Sequence, residues 1–232
     1  MLRDQARLHL GLMLVLTFST GVVDAIGYLG LDKVFTANMT GNVVILAMGL
    51  TGQEGLPVVG PVVALAGFVV GAMVAGRFLR GVPKGWHVRD TWVLSVVAAL
   101  LLIALIPTAF ITSTPADPAL GLPVTALLAV AMGMQAGAAR HIAVTDVTTV
   151  VITSTLAALA FDSRFGRRTG QTWFRRLAAV TLLALGALAG AALLLVAFWL
   201  GLALAALLLV VVAVLGALGS RSAAEEAAQR AQ

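Results

Sequence analysis

Long apolar runs separated by short polar stretches dominate the sequence. Several of them reach the roughly 20 residues that a helix needs to cross about 30 Å of hydrocarbon. The pattern therefore predicts an all-α polytopic membrane helix bundle. The eight runs are Leu8–Leu29, Val34–Leu50, Pro57–Leu79, Trp92–Ile111, Leu120–Ala138, Val144–Phe161, Leu177–Leu200 and Leu202–Leu218.

The second and sixth runs are interrupted by polar residues and favour re-entrant or broken half-helices. If both return on the side they enter, fourteen of the fifteen Lys and Arg residues face one side and only Lys33 faces the other. Short cytoplasmic loops carry an excess of Lys and Arg. This predicts six full spans, two half-helix segments and cytoplasmic N- and C-termini.

The stretch from Gly21 to Leu50 carries the densest polarity within an apolar setting. Its apolar end, Val43–Leu50, has only eight residues, about 12 Å of helix, so a half-helix is expected there, with the chain turning at Gly41 and Asn42. A single tilted span over Val34–Leu50 is the alternative, because hydropathy alone does not separate the two.

Composition excludes a soluble fold and narrows the partners. Sixty per cent of the residues are hydrophobic, 11% are charged and the mean hydropathy is +1.04, values typical of a membrane protein. The formal charge of +5 falls in loops and span ends without base-reading elements, so no nucleic-acid partner is expected. Without cysteine, disulfides and thiolate metal sites are excluded.

An internal repeat is indicated by similar stretches in the two halves. Met132-Gly-Met-Gln135-Ala aligns with Gly21-Val-Val-Asp24-Ala, and the threonine-rich stretch from Thr149 aligns with the polar patch from Thr36. The halves, residues 1–116 and 117–219, would have inverted topology, as in many secondary transporters, and 220–232 would be a polar cytoplasmic tail. Chance similarity among small and aliphatic residues is the alternative.

These motifs resemble the YoaK-like family of bacterial integral membrane proteins, a domain of unknown function. The resemblance lies in G-x-x-D-A at Gly21, V-F-x-A-N-M-T-G-N-V at Val34, M-G-x-Q at Met132 and a later threonine-rich stretch. It implies a polytopic protein of the bacterial inner membrane and supplies no substrate. Ser154 and Thr155 stand where the family pattern has a Thr-Gly pair.

Asp24 lies about sixteen residues into the first run. An ionised carboxylate without a partner is costly at that depth, so Asp24 should be protonated, paired or in contact with water. It could couple transport to protons or cations, or it could be a buried acid satisfied by neighbouring Thr or Asn residues. Gln135, its counterpart in the repeat, could bind a polar solute or simply bond across helices.

The starts of the two half-helices are the expected solute site. A helix N-terminus offers free N–H groups and partial positive charge, which favour an anionic or dipolar solute. Alternatively, Asn38 or Thr40 only caps the helix. The predicted binding residues are Asp24, Thr36, Asn38, Thr40, Gly41, Asn42, Gln135, Thr149, Thr153, Ser154 and Thr155.

Charged residues near the predicted cytoplasmic face could gate the site or anchor the spans. Arg140, His141 and Asp146 are predicted to cluster at its mouth and, with Asp24, to serve gating or proton coupling; the alternative is a topology anchor. The arginine-rich loop before Leu177, which contains Trp173, is expected to contact anionic lipid. Two Gly-x-x-x-Gly pairs, at Gly67 and Gly186, predict close packing within the bundle or in a homodimer.

The leading hypothesis is a transporter of a small polar or anionic solute, most simply proton-coupled, embedded in the lipid bilayer. A passive channel is the second hypothesis, and an intramembrane enzyme acting on a lipid or quinone is the third. No catalytic constellation, cofactor or metal site is recognisable in the sequence.

Overall fold

Eight helices form the described part of the chain, and six of them are long and apolar enough to cross a membrane. This computed structural model describes residues 2–52, 54–111, 117–144, 152–163, 165–167 and 173–230, with backbone only for 2–4 and 221–230. The six long helices are α1 (Leu2–Gly30), α3 (Val59–Phe78), α4 (Val88–Thr108), α5 (Pro118–Ile142), α7 (Trp173–Leu194) and α8 (Phe198–Arg230). The two short helices are α2 (Met39–Gly49) and α6 (Ile152–Phe161). The predicted count of six spans and two half-helices is confirmed.

The turn before α2 lies earlier than the sequence predicted. The chain leaves α1 and runs without helical structure from 31 to 38, and Asp32 and Lys33 both have φ of 59°. This stretch is called segment 31–38 below. Gly41 and Asn42 lie inside α2, so the predicted turn at these two residues is wrong. The backbone reverses where positive φ angles permit it, and the helix starts once Asn38 caps it.

Contacts at the helix ends show which ends share a face of the bundle. His9 of α1 stacks on Trp86, which precedes α4, with 5.5 Å between ring centroids, and Gly85 N donates to His141 O at the end of α5. We call this end the terminal face. At the opposite end, the distal face, Lys33 Nζ donates to Gly55 O at 2.6 Å. Because Lys33 precedes α2 and Gly55 follows it, α2 returns to the face from which it came.

Close helix crossings depend on glycines that leave no room for a Cβ atom. A Cβ on Gly186 would lie 2.0 Å from Phe18 O, and one on Gly71 would lie 2.1 Å from Val130 O. The Gly-x-x-x-Gly pairs therefore pack α7 on α1 and α3 on α5 within one chain. The buried core includes Leu16, Leu94, Leu101, Leu128 and Leu209, contributed by α1, α4, α5 and α8.

The two ends of the chain differ slightly from expectation. The break between the last two spans lies at residues 195–197, before the predicted Gly201, and the polar tail continues α8 as helix as far as Arg230. Whether the halves 1–116 and 117–219 are related repeats remains a prediction.

Candidate functional site

The Asp24 carboxylate holds segment 31–38 against α1. Its Oδ1 atom accepts hydrogen bonds from the backbone N–H groups of Thr36 at 2.9 Å, Ala37 at 2.7 Å and Asn38 at 3.4 Å, and from the Thr36 hydroxyl at 3.4 Å. Consecutive N–H groups that converge in this way form a small anion-binding concavity. The protein's own carboxylate therefore occupies the donors in front of α2 that the sequence analysis assigned to a solute.

Asn42 and Asn38 shape the same stretch from the side of α2. Asn42 Oδ1 accepts from Phe35 N at 2.9 Å, and Asn42 Nδ2 donates to Phe35 O at 2.6 Å. Such a reciprocal pair fixes the backbone of residue 35 as a strand partner would. Asn38 caps α2, because its Oδ1 accepts from Gly41 N at 3.3 Å. The capping alternative for Asn38 is thus what the structure shows.

A cavity of about 1070 Å³ lies beside Asp24, between α1, the start of α2, α6 and α7. We call it the central cavity. Its wall is mostly apolar, and no lysine, arginine or histidine lines it within the described part of the chain. Its polar side chains come from Thr20, Asp24, Tyr28, Asn38, Thr40 and Thr153. A mostly apolar cleft with a few convergent polar groups is the usual form of a small-molecule site.

The structure brings five of the predicted binding residues to this cavity: Asp24, Asn38, Thr40, Gly41 and Thr153. Thr36 and Asn42 are fully buried behind the wall and position the backbone. Ser154 is exposed and Thr155 is buried, and neither lines the cavity. Thr149 lies outside the described residues. The two interrupted elements thus meet at one cavity through Thr40 and Thr153.

Gln135 does not flank the cavity as predicted. It is 1% exposed, and its Nε2 donates to Thr20 Oγ1 at 2.9 Å and approaches Leu16 O at 3.4 Å. The amide therefore bonds α5 to α1 across the bundle, which was the structural alternative. It reaches the cavity only through Thr20, whose side chain is part of the lining.

His141 pairs with Asp90 of α4. Its Nδ1 lies 2.8 Å from Asp90 Oδ1 and its Nε2 lies 3.1 Å from Val82 O. Both ring nitrogens thus face oxygen atoms, which hold the imidazole between α4 and the loop that follows α3. His141 finds its partner on α4, and because Asp146 lies outside the described residues, the predicted cluster of Arg140, His141 and Asp146 stays a prediction.

Sequence reasoning missed several residues that shape the site. Thr20, one helical turn before Asp24, links Gln135 to the cavity. Tyr28 stacks on Phe35 with 4.8 Å between ring centroids and covers the distal end of the wall. Asp90, 0% exposed, is the partner of His141. The i to i+4 spacing of Thr20, Asp24 and Tyr28 was a readable signal, because it places all three on one face of α1.

The arrangement can bind a polar group and hold a proton. Among the described residues, no group of three His, Asp or Glu side chains lies close enough to hold a metal ion. Among the described lining residues, Asp24 carries the acidic group. All hydrogen bonds recorded for it in the described chain end on Oδ1, so Oδ2 remains available to a solute or a proton.

Six apolar spans, two half-helices and a half-buried carboxylate beside a large cavity define a polytopic helical membrane protein with an internal polar site. Residues 12–215 match the family described as "Protein of unknown function (DUF1275)", and the chain belongs to this family. It is 34% identical over 154 residues to the UPF0700 transmembrane protein YoaK of Bacillus subtilis (strain 168), a match that spans 65% of each chain. The resemblance to the YoaK-like family is therefore confirmed. No solved structure matches this chain.

Proposed function

We propose that this protein transports a small polar solute across the membrane and that Asp24 couples transport to protons. The observation that carries the proposal is the position of Asp24: its carboxylate forms part of the central cavity and also holds segment 31–38. A carboxylate inside a membrane domain is costly and usually marks a path for a solute or a proton.

Protonation of Asp24 would change the packing of segment 31–38. The ionised carboxylate attracts three consecutive N–H groups, and hydrogen bonds to a charged acceptor are about twice as strong as neutral ones. Loss of the charge weakens all of them together and frees the segment to move away from α1. Protonated Asp24 and a displaced segment 31–38 therefore occur together in one conformational state.

The charge of the cavity favours a neutral or cationic solute over an anion. The described lining residues include Asp24 and no basic side chain, and the N–H groups before α2 already donate to that carboxylate. The partial positive charge at the N-terminus of α2 is therefore neutralised by the Asp24 carboxylate. An anion would be repelled by Asp24 without a compensating cation. We therefore expect a neutral or cationic solute in place of an anionic one.

The packing of the helices supports an alternating-access mechanism, in which the central cavity opens to one face of the membrane at a time. α1 packs on α7 and α8, whereas α5 packs on α3 and α4, and α2 and α6 rest on α3 and α7. Related halves of opposite topology would produce this pairing. His9 and His141 lie at the same face, so α1 and α5 run in opposite directions.

The terminal face is the cytoplasmic face in this proposal, in the inner membrane of a bacterium. Arg7, Arg77, Arg80, Lys84, Arg89 and Arg140 lie at helix ends or loops on that side, whereas Lys33 lies at the distal face. Basic loops are retained in the cytoplasm. On the same side, Arg167 of the α6–α7 loop and Arg175 in the first turn of α7 are placed to meet anionic lipid.

Uptake into proteoliposomes tests the function directly. The purified full chain is assayed with a panel of small amines, neutral polyols and carboxylates, with and without a pH gradient. Uptake of an amine or polyol that requires the gradient and is lost in Asp24→Asn supports the proposal. Glu54→Gln, which removes a distal carboxylate away from the central cavity, should retain uptake.

The same assay separates the competing functions. Flux that ignores the gradient and persists in Asp24→Asn would identify a passive channel. Turnover of added lipid or quinone without solute flux would identify an intramembrane enzyme. Either result would overturn coupled transport.

A further inference from the structure

The wall of the central cavity contains a pair of stacked aromatic rings that the proposed function does not use. Tyr28 of α1 and Phe35 of segment 31–38 both line the cavity. Their ring centroids lie 4.8 Å apart, and the ring planes differ by 25°. We call Tyr28 and Phe35 the aromatic pair.

Phe35 is held in place from two sides. Its backbone exchanges two hydrogen bonds with the Asn42 side chain, at 2.9 and 2.6 Å. Its ring lies against the first turn of α2, because a Cβ on Gly41 would lie 2.7 Å from Phe35 Cδ2. Tyr28 therefore stacks on a ring whose position is fixed by α2.

Tyr28 presents uncovered aromatic surface to the cavity. The residue is 38% exposed in the described part of the chain, and Phe35 covers one face of its ring. The exposed area consequently lies on the other face and on the ring edge. Since the face of an aromatic ring carries partial negative charge, this open face favours a cation.

The aromatic pair lies next to the available oxygen of Asp24. Asp24 and Tyr28 are one turn apart on α1, a spacing that puts their Cβ atoms about 5–6 Å from each other. Phe35 directly precedes Thr36, whose N–H donates to Asp24 Oδ1 at 2.9 Å. The hydrogen bonds recorded for this carboxylate in the described chain end on Oδ1, which leaves Oδ2 for a ligand. A carboxylate oxygen and an aromatic face therefore converge on one part of the cavity.

The rest of the wall favours a cation that carries alkyl groups. Phe68, Leu183, Ala187 and Ala191 line it, and no lysine or arginine among the described lining residues offsets the charge of Asp24. A hard metal cation prefers several oxygen ligands, whereas an alkylated ammonium ion can bury its methyl groups on apolar surface. Proteins also recognise quaternary ammonium groups through aromatic faces.

We infer that the central cavity binds a small alkylated ammonium ion, with its nitrogen between Asp24 Oδ2 and the open face of Tyr28 and its alkyl groups against Phe68 and α7. As the identity of the transported solute, this inference rests on the proposed function. The binding itself requires no transport and is measured on the purified full chain.

Protection of a thiol in the cavity measures this binding. The chain has no cysteine, and Thr153→Cys places an exposed thiol in the central cavity from α6. Its reaction rate with methyl methanethiosulfonate, a neutral reagent, is followed in detergent while tetramethylammonium replaces sodium at constant ionic strength. We expect saturable protection that is half complete at a concentration equal to Kd.

Two competitors identify what the cavity recognises. The uncharged alcohol tert-butanol is close to tetramethylammonium in size and shape, and it should protect about tenfold less well or worse, because it lacks the charge that Asp24 attracts. Potassium in place of sodium should leave the rate unchanged, because it has no alkyl groups to bury.

Variants of Tyr28 separate recognition by the aromatic face from simple apolar contact. Tyr28→Leu keeps an apolar side chain but removes the ring, so Kd for tetramethylammonium should rise about fivefold to thirtyfold. Tyr28→Phe keeps the aromatic face and should stay within about twofold of the parent. Trp92→Leu on α4 removes an exposed aromatic residue outside the cavity lining and should leave Kd unchanged.

Asp24→Asn tests the contribution of the charge. It removes the negative charge that faces the cation and should raise Kd about tenfold or more. Because Asp24 also holds segment 31–38, the Tyr28 variants, which leave that contact in place, give the decisive comparison.

Four results would overturn the inference: protection by tert-butanol equal to that by tetramethylammonium, equal protection by potassium, a Kd that does not change in Tyr28→Leu, or a Thr153→Cys thiol that does not react. Uptake into proteoliposomes is read separately. Protection without uptake of tetramethylammonium would contradict only the proposed function. Gradient-driven uptake of a polyol without protection by tetramethylammonium would contradict only the inferred solute.

Discussion

Asp24 Oδ1 and the backbone nitrogen of Ala37 lie 2.7 Å apart, although thirteen residues separate them in the chain. This contact joins a full span to the start of a half-helix and closes one wall of the central cavity. A single oxygen atom thereby links the carboxylate of the site to segment 31–38.

Replacing Asp24 should separate its structural role from its charge. Asp24→Ala removes the acceptor of three N–H groups, and one buried unsatisfied group costs about 1–3 kcal/mol. We expect a clear fall in the thermal midpoint, followed by tryptophan fluorescence in detergent. Asp24→Asn keeps an acceptor oxygen and should stay closer to the wild type.

An equal midpoint for Asp24→Ala and the wild type would contradict the role of Asp24 in holding segment 31–38. Asn42→Leu provides a second measure, because it removes both bonds to Phe35. It should destabilise the protein while leaving the carboxylate in place.

Gly71→Ala should destabilise the packing of α3 on α5. Its Cβ would lie 2.1 Å from Val130 O and 3.0 Å from Met134 N, which are backbone atoms that cannot rotate away. Forcing helices apart in this way costs about 1–3 kcal/mol. Gly76→Ala on the same helix is the control, since its Cβ would have nothing within 4 Å. Equal thermal midpoints for the two variants would show that the crossing is looser than described.

The pair of His141 and Asp90 should contribute to stability at the terminal face. His141→Ala leaves the fully buried Asp90 carboxylate without its side-chain partner, and a buried polar group that loses its hydrogen-bond partner costs about 1–3 kcal/mol. Asp90→Asn in the His141→Ala background should recover part of the loss. The measurement is a double-mutant cycle of unfolding midpoints. Additive effects would show that the two residues act independently.

Single cysteines can test the course of α2. Variants Lys33→Cys and Glu54→Cys should be labelled from the same side of sealed vesicles by an impermeant reagent, because Lys33 contacts Gly55 at the distal face. Arg80→Cys, after α3, should be labelled only from the other side. Labelling of Glu54→Cys together with Arg80→Cys would mean that α2 crosses the membrane.

The sequence was sufficient for the number of long spans and short half-helices, because hydrophobic length can be measured along the chain. It also identified Asp24, since a carboxylate within an apolar run needs a partner. It did not reveal that the partner is the backbone of residues 36–38. Such a contact depends on how segment 31–38 turns, and the positive φ angles at Asp32 and Lys33 leave no clear mark in composition.

Gln135 and His141 show a different limit of sequence reasoning. Each was assigned to a site by its neighbours in sequence, but its contacts come from another helix: Thr20 for Gln135 and Asp90 for His141. Sequence spacing describes which residues share a helix face and does not give the rotation of one helix against the next. The partners of buried polar side chains therefore emerge only when the helices are packed.

The most direct test of the account is whether the central cavity is wet and opens to both faces in turn. Thr153→Cys places a thiol in that cavity from α6, and an impermeant thiol reagent can be applied to either side of sealed proteoliposomes. We predict modification from each side, with the balance between sides shifted by a pH gradient and fixed in Asp24→Asn. A Thr153→Cys thiol that resists the reagent from both sides would contradict a solvent-filled transport site.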